Sequence, residues 1–311
     1  MKKNHYLKTT IKLIKFVVFI LAIDFLLGTF AKHIFFSQET GKYARATHAI
    51  QETEADVLIF GSSHAHRHYI PNLFEELLQK TCYNAGAEGQ QLLYHTVLQQ
   101  MILKRTQPEL IILNIDKDFL FTSQEAYDRL GDLHPYYEEH REELKPILGL
   151  KSKLVDVKLF FKSYQTNSTI VHAIRYYLSP QLDYKGYRPL NGEAKPDQKL
   201  QDDIKILSNE IDPNFESALY RFIETARNKG VKLVFVTSPK LYRIDVSNNV
   251  SFNRIKEIAK EKNVMFIDFF NAEEFLKQYE LFHDPSHLNH TGAKKFNTLI
   301  IDQIKNQYKW E

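Results

Sequence analysis

The longest apolar stretch of the chain runs from Phe16 to Ala31 and carries a single charge, Asp24. Five lysines precede it: Lys2, Lys3, Lys8, Lys12 and Lys15. As a helix its sixteen residues span about 24 Å, a little short of a hydrocarbon core of about 30 Å. Snorkelling Lys12 and Lys15, with Ile34-Phe35-Phe36 beyond, make up the difference. The pattern predicts a single membrane-spanning helix with its lysines in the cytoplasm and residues 39–311 outside, periplasmic or at the cell surface. A cleaved signal peptide is the alternative, since Thr29-Phe30-Ala31 is a tolerable cleavage site, but the run exceeds an ordinary signal core of about 7–15 residues. Asp24 costs about 2.5–3.5 kcal/mol on insertion scales. Either it is simply tolerated or it faces a polar group on a membrane partner.

From Asp56 onward short apolar runs alternate with amphipathic helical stretches. Residues 56–60 read as a strand entering the turn Gly61-Ser62-Ser63. Residues 71–80 read as a helix with Leu73, Phe74, Leu77 and Leu78 on one face, and 81–84 as a short strand. Residues 90–105 form a helix with Leu93, Val97, Met101 and Ile102 inward, followed by a strand, Leu110-Ile111-Ile112-Leu113, apolar enough to be buried on both faces. Asp212-Pro213 opens a helix that Gly230 ends. Strands at 231–236 and 264–267 flank a helix near 252–262, and 291–308 is the closing helix. This alternation predicts an α/β fold in three layers, a parallel sheet of about five strands with helices on both faces. Sites in such sheets lie at the carboxyl ends of the strands.

Residues 120–200 break the rhythm. They are rich in tyrosine and phenylalanine and contain Pro180, Pro189 and Pro196. They read as a mostly helical insertion over the carboxyl edge of the sheet, its aromatics chiefly filling a core. The expected organisation is a lysine-rich tail and anchor over 1–38 and one domain over 39–311 that carries this insertion.

Composition changes the picture in two places. The 311 residues, 43% hydrophobic and 25% charged, are those of a globular chain. The net charge of +3 resides in residues 1–38, with six lysines against one acid, while the remainder holds 35 basic and 37 acidic residues. A basic nucleic-acid face is therefore not expected. The lone cysteine, Cys82, excludes an internal disulfide and a four-cysteine zinc site.

Three segments at strand ends bear chemistry. In Gly61-Ser62-Ser63-His64 a serine at a tight strand-to-helix turn is exposed, with its own N–H directed into the same space as Oγ. Asn84-Ala85-Gly86-Ala87-Glu88-Gly89 is a glycine-bearing loop whose amides can bind an oxyanion. In Asp284-Pro285-Ser286-His287 the aspartate can bond the ring Nδ1 and leave Nε2 free as a base.

In this order the three segments resemble the SGNH (GDSL-like) hydrolase superfamily, over residues 56 to about 308 apart from the insertion. The resemblance implies a flavodoxin-like sheet, Ser63 as nucleophile, Gly89 as oxyanion glycine, His287 as base and Asp284 as its partner, with no cofactor and no metal. The superfamily's third block carries an asparagine that donates to the oxyanion. Here an ungapped comparison puts Asp118 in its place, and an ionised aspartate cannot donate. Either Asn114 is recruited, or the hole uses backbone amides only, or activity is low. With its anchor the chain is similar in architecture to envelope acyl-transfer proteins such as the D-alanyl-lipoteichoic acid protein DltD and the alginate O-acetylation proteins. That similarity implies an esterase or O-acyltransferase acting on an acylated envelope glycan or polymer, coupled to a membrane-bound O-acyltransferase.

Two rivals remain open. His64, His66 and His68, with His283, His287 and His290, offer nitrogen ligands that Asp284 could complete as a zinc site. A catalytically silent module that holds an acylated glycan is the other; outside a zinc site His64 is a candidate substrate contact.

Overall fold

The computed structural model describes residues 2–198 and 206–308, so the last two positions of the expected insertion, 199 and 200, lie outside the described residues. The chain begins with α1 (Lys2–Phe36) and α2 (Gly41–Gln51), then β1 (Val57–Phe60), α3 (Ser63–His68) and α4 (Pro71–Leu78). Next come β2 (Cys82–Asn84), α5 (Leu92–Leu103), β3 (Leu110–Ile115) and α6 (Gln124–Arg129). Helices α7 (Arg141–Leu148), α8 (Val155–Phe160), α9 (Lys162–Thr166) and α10 (Ile170–Leu178) follow. The chain closes with α11 (Pro213–Asn228), β4 (Lys232–Thr237), α12 (Val250–Glu261), β5 (Met265–Ile267) and α13 (His290–Gln307). Contacts divide it into two compact units, 2–44 with 131–180, and 45–130 with 181–198 and 206–308.

The second unit contains the sheet, ordered β2-β1-β3-β4-β5 and parallel throughout. The register pairs Val57 with Leu110 and Ile112 with Val234, so alternate residues of neighbouring strands share a face. On one face Val57, Ile59, Ile112, Val234 and Val236 join Phe74 and Leu78 of α4 and Phe296, Ile300 and Ile304 of α13 in one buried core. On the other, Phe60 meets Phe222 of α11 with ring centroids 5.5 Å apart, and Phe266 meets Phe252 of α12 at 5.9 Å. Burial on both faces explains why the strands read as unbroken apolar runs.

Helix starts follow their capping residues. Asp212 accepts from Asn214 N at 2.9 Å, Asn249 from Phe252 N at 2.8 Å, and Asn289 from Gly292 N at 3.0 Å. Two boundaries differ from the sequence pattern. The helix expected over 90–105 begins at Leu92, because Gln90 N turns back onto Ala87 O at 3.1 Å. The third strand runs on through Asn114 and Ile115, which pair with Val236 and Thr237 of β4. Asn114 therefore lies inside the strand, not beyond it.

In the other unit α1 is a continuous helix, and Tyr6–Phe36 is long and apolar enough to cross a membrane. Helix α9 lies against it at Gly28, where a Cβ would stand 2.3 Å from the backbone carbon of Lys162. The ring of Tyr136 packs edge-on against Phe35 and Phe36. The aromatic stretch thus divides at residue 180. Beyond it the chain runs along the sheet unit, with Asn84 N bonded to Lys185 O at 3.0 Å and Ala194 N to Phe282 O at 2.8 Å.

Buried histidines give the sheet unit a pH dependence. Burial pushes His95 of α5 down to about 3 and holds His66 and His68 well below the ordinary imidazole value. An unfolded chain takes up these protons near pH 6.5, whereas the folded one refuses them. Stability is therefore expected to fall as pH drops from about 6.5 toward 3, by roughly 1 kcal/mol per pH unit for His95 alone. Urea midpoints measured at pH 7 and pH 5 test this, and equal midpoints would contradict it.

Candidate active site

Parallel strands deliver their carboxyl ends to one edge. That edge carries Gly61-Ser62-Ser63 after β1, Ala85-Gly86 after β2, Asp116 after β3 and Ser238 after β4. Gly61 has a φ of 139°, and a Cβ on it would stand 2.8 Å from Asn114 Cβ and 3.0 Å from Ala65 Cβ. Glycine lets β1 turn into α3 this tightly against β3.

Ser63, the first residue of α3, is half-buried, and its Oγ lies 2.9 Å from His287 Nε2. His287 sits in a loop closed by a bridge between Phe282 and Leu288. Within it Asp284 Oδ1 accepts from the amides of Ser286 and His287 at 2.8 and 2.9 Å, and Oδ2 faces His287 Nδ1 at 3.0 Å. The carboxylate makes Nδ1 the donor and leaves Nε2 to accept from the serine. Burial works against the charged form of Asp284, but the His287 ring and the two amides outweigh it and hold the carboxyl well below its usual range.

A second hydrogen-bonded chain lies beside the first. The ring of His64 stacks on that of His287, centroids 5.1 Å apart and planes within 19°. His64 Nδ1 lies 2.8 Å from Asp116 Oδ1 and its Nε2 2.7 Å from Lys240 Nζ, which also reaches Ser286 Oγ at 3.3 Å. A carboxylate only accepts and an ammonium only donates, so Nδ1 carries the proton and Nε2 accepts. Burial raises Asp116, yet His64, Ser62 and Lys240 together leave it below its ordinary value.

Beneath these, His68 Nε2 accepts from Leu288 N at 3.0 Å and its Nδ1 donates to Ser238 Oγ at 3.0 Å. Ser238 in turn donates to Asn114 Oδ1 at 2.7 Å, which also accepts from Tyr69 Oη at 2.9 Å. Asn114 Nδ2 is buried without a hydrogen-bond partner. The pattern requires an uncharged His68, in keeping with the downward push of burial.

The structure therefore brings Ser63, His287, Asp284 and His64 into one cluster and places Asn114 in the layer below. Gly89, with φ 70°, meets the guanidinium of Arg129, which occupies the space a Cβ would need. Asp118 accepts from Asn249 Nδ2 at 2.8 Å and pairs with Lys117 at 2.5 Å. The loop glycine packed on α3 is Gly86, where a Cβ would stand 2.5 Å from His66 N. Because 63–68 is helical, His64 and His68 share a face, with ring centroids 5.2 Å apart, while His66 points elsewhere and its Nδ1 bonds Gly186 O at 2.8 Å. Among the described residues no group of three or more histidines, cysteines or acids is placed to hold a metal ion. Sequence reasoning missed Asp116 and Lys240. Their signal was position, since Asp116 directly follows β3 and Lys240 comes three residues after β4, both at the functional edge.

No protein-family model matches the chain, and no curated protein matches it. Among solved structures 27 chains match. One of them, a crystal structure of the acetyl xylan esterase AlAXEase, has 14% identity and a TM-score of 0.40, covering 81% of this chain and 98% of that one.

Asp116 Oδ1 is the acceptor for the buried Nδ1–H of His64. Asp116→Ala, which leaves that donor unmet, is expected to destabilise the sheet unit by about 1–3 kcal/mol, the scale for stranding a buried polar group. Chemical denaturation would read it, and a loss near zero would show that the bond contributes nothing to stability.

Proposed function

We propose that the chain is a serine acyl hydrolase or acyltransferase, anchored by α1 with its lysines in the cytoplasm and the sheet unit outside. Its substrate class is an acylated envelope glycan or polymer. The contact Ser63 Oγ–His287 Nε2, with Asp284 on the far ring nitrogen, is the observation that carries the reading.

The chemistry follows from the proton positions. His287 Nε2 takes the proton of Ser63 as Oγ bonds the acyl carbon. The carbonyl oxygen becomes an oxyanion held by the first-turn amide of Ser63, with Asn114 Nδ2 as a second donor. As the carbon–oxygen bond to the leaving alcohol breaks, His287 returns the proton to that oxygen. The acyl-serine then passes to water, which makes an esterase, or to a sugar hydroxyl, which makes a transferase, by the same steps in reverse. Asp284, held well below its usual range, stays ionised throughout and stabilises the imidazolium. His64, stacked on His287 and fixed by Asp116, walls the cluster. The resemblance to envelope acyl-transfer proteins supports a membrane-bound O-acyltransferase as the partner that supplies acyl groups.

Fluorophosphonate labelling of the full chain in detergent tests the activated serine. Labelling is expected for the unmodified chain and not for Ser63→Ala. His287→Ala should slow it by about a thousand-fold or more, the scale on which members of such a triad act. A Ser63→Ala chain that still labels would overturn the assignment. A folded unmodified chain that never labels would favour the silent glycan-binding module.

A further inference from the structure

We infer that α8, α9 and α10 enter the lipid bilayer beside α1, α8 and α9 as a re-entrant helical hairpin and α10 as an interfacial helix. This rests on the anchored reading of α1 proposed above and goes beyond it, because a single spanning helix makes no demand on residues 154–178.

The depth of the hairpin can be read from α1. Lys12 and Lys32 are twenty residues apart, about 30 Å along a helix, so they bracket a hydrocarbon core. Asp24 lies eight residues inside Lys32, about 12 Å deeper. At that level its carboxylate accepts from Lys162 N at 2.8 Å and Ser163 N at 3.2 Å, and from the hydroxyl of Ser163. These are the opening amides of α9, which would otherwise lack acceptors in hydrocarbon, where each costs several kcal/mol. One turn outward Gly28 lets the two backbones touch. Two turns outward Lys32 reaches Glu138 at 2.8 Å, and Lys162 directs its ammonium back to the same carboxylate. Asp24, Gly28 and Lys32 thus form one face that docks α9 along the outer half of α1.

The surface left over is the kind lipid covers. The tip between α8 and α9 is Phe160-Phe161, with Phe160 68% exposed. On α10, Val171 at 73%, Ile174 and Leu178 at 82% fall at i, i+3 and i+7, a single exposed apolar stripe. Tyr177 of the same helix bonds Ile34 O at 3.1 Å and Ser37 Oγ at 2.7 Å, at the outer end of α1. That is the level of an interfacial aromatic belt, and α10 lies there with its stripe uncovered. Continuity with the spanning helix and the submerged position of Asp24 select acyl chains as the occupant.

The test uses the full chain in phospholipid vesicles, with Cys82 replaced by serine and one cysteine carrying an NBD fluorophore introduced at a time. Phe160→Cys, Val171→Cys and Leu178→Cys probe the hairpin and α10, Phe19→Cys probes the anchor, and Lys256→Cys is an aqueous reference on α12. Lipids brominated on their acyl chains should quench the fluorophore at 160, 171, 178 and 19, and leave that at 256 unchanged. Quenching at 19 alone would overturn the inference while the anchor stands, and would leave the apolar stripe to a protein partner. No quenching at 19 would remove the anchored reading and the inference with it.

Discussion

The sheet unit depends on one close approach, that of β1 to β3 at Gly61. A strand that ends in a tight turn must leave the sheet before its neighbour does, and β3 continues through Asn114 directly beside that exit. With 2.8 Å available to a Cβ at Gly61, any side chain there would push α3 outward and carry Ser63 away. His287 arrives from the opposite end of the chain, so its distance from Ser63 is set by how α13 docks on α3. Two bonds fix that docking, Ile70 N to Asn297 Oδ1 at 2.9 Å and Leu288 N to His68 Nε2 at 3.0 Å. A 2.9 Å contact between residues 224 positions apart thus rests on one hydrogen-sized gap and two buried acceptors, as positioning by packed regular elements requires.

Such a site needs polar groups where a parallel sheet is most apolar, and burying them is unfavourable unless each finds a partner. The fold meets this with two chains of hydrogen bonds, Asp116–His64–Lys240–Ser286 and Leu288–His68–Ser238–Asn114–Tyr69. In both, an imidazole with one donating and one accepting nitrogen links a donor to an acceptor, Lys240 to Asp116 in the first and Leu288 N to Ser238 in the second. This accounts for several histidines in a small region with no metal ligand set among the described residues. Asn114 Nδ2 and Asp116 Oδ2 are exceptions, a donor and an acceptor in the network without partners. An unmet buried donor beside a nucleophile turn has a physical rationale if charge develops near it.

Much of the architecture was legible because burial on both faces writes itself into the strands as short β-branched runs, and the capping residues Asp212 and Asn249 stand where helices begin. The five strands and their helices follow from that pattern. The placements of Ser63, Asp284 and His287 were legible for a related reason, since each belongs to a short segment whose residues bond one another locally, as Asp284 does to the amides of Ser286 and His287. What was not legible is non-local. Nothing near Lys240 announces its burial, because it bonds His64 and Ser286, which lie 176 and 46 residues away. An ungapped reading of the third block drew attention to Asp118, which bonds Asn249, while the extra strand length that buries Asn114 comes from pairing with β4. Gly89 shows the same limit, for its neighbour Arg129 belongs to a helix 40 residues on.

Asp24 is the sharpest case of that limit. In the sequence it is an isolated charge in an apolar run, with a cost of about 2.5–3.5 kcal/mol and no visible return. In the structure its partners are 138 and 139 residues away, in a five-residue helix that no periodicity could detect. Each side of the contact is unfavourable alone, the carboxylate in α1 for lack of a donor and the first amides of α9 for lack of an acceptor. Together they satisfy one another, and Gly28 one turn away allows the approach that makes this geometrically possible. The acid is therefore neither merely tolerated nor in need of a second protein. It is the acceptor on which the start of α9 is built, and it ties residues 131–180 to α1.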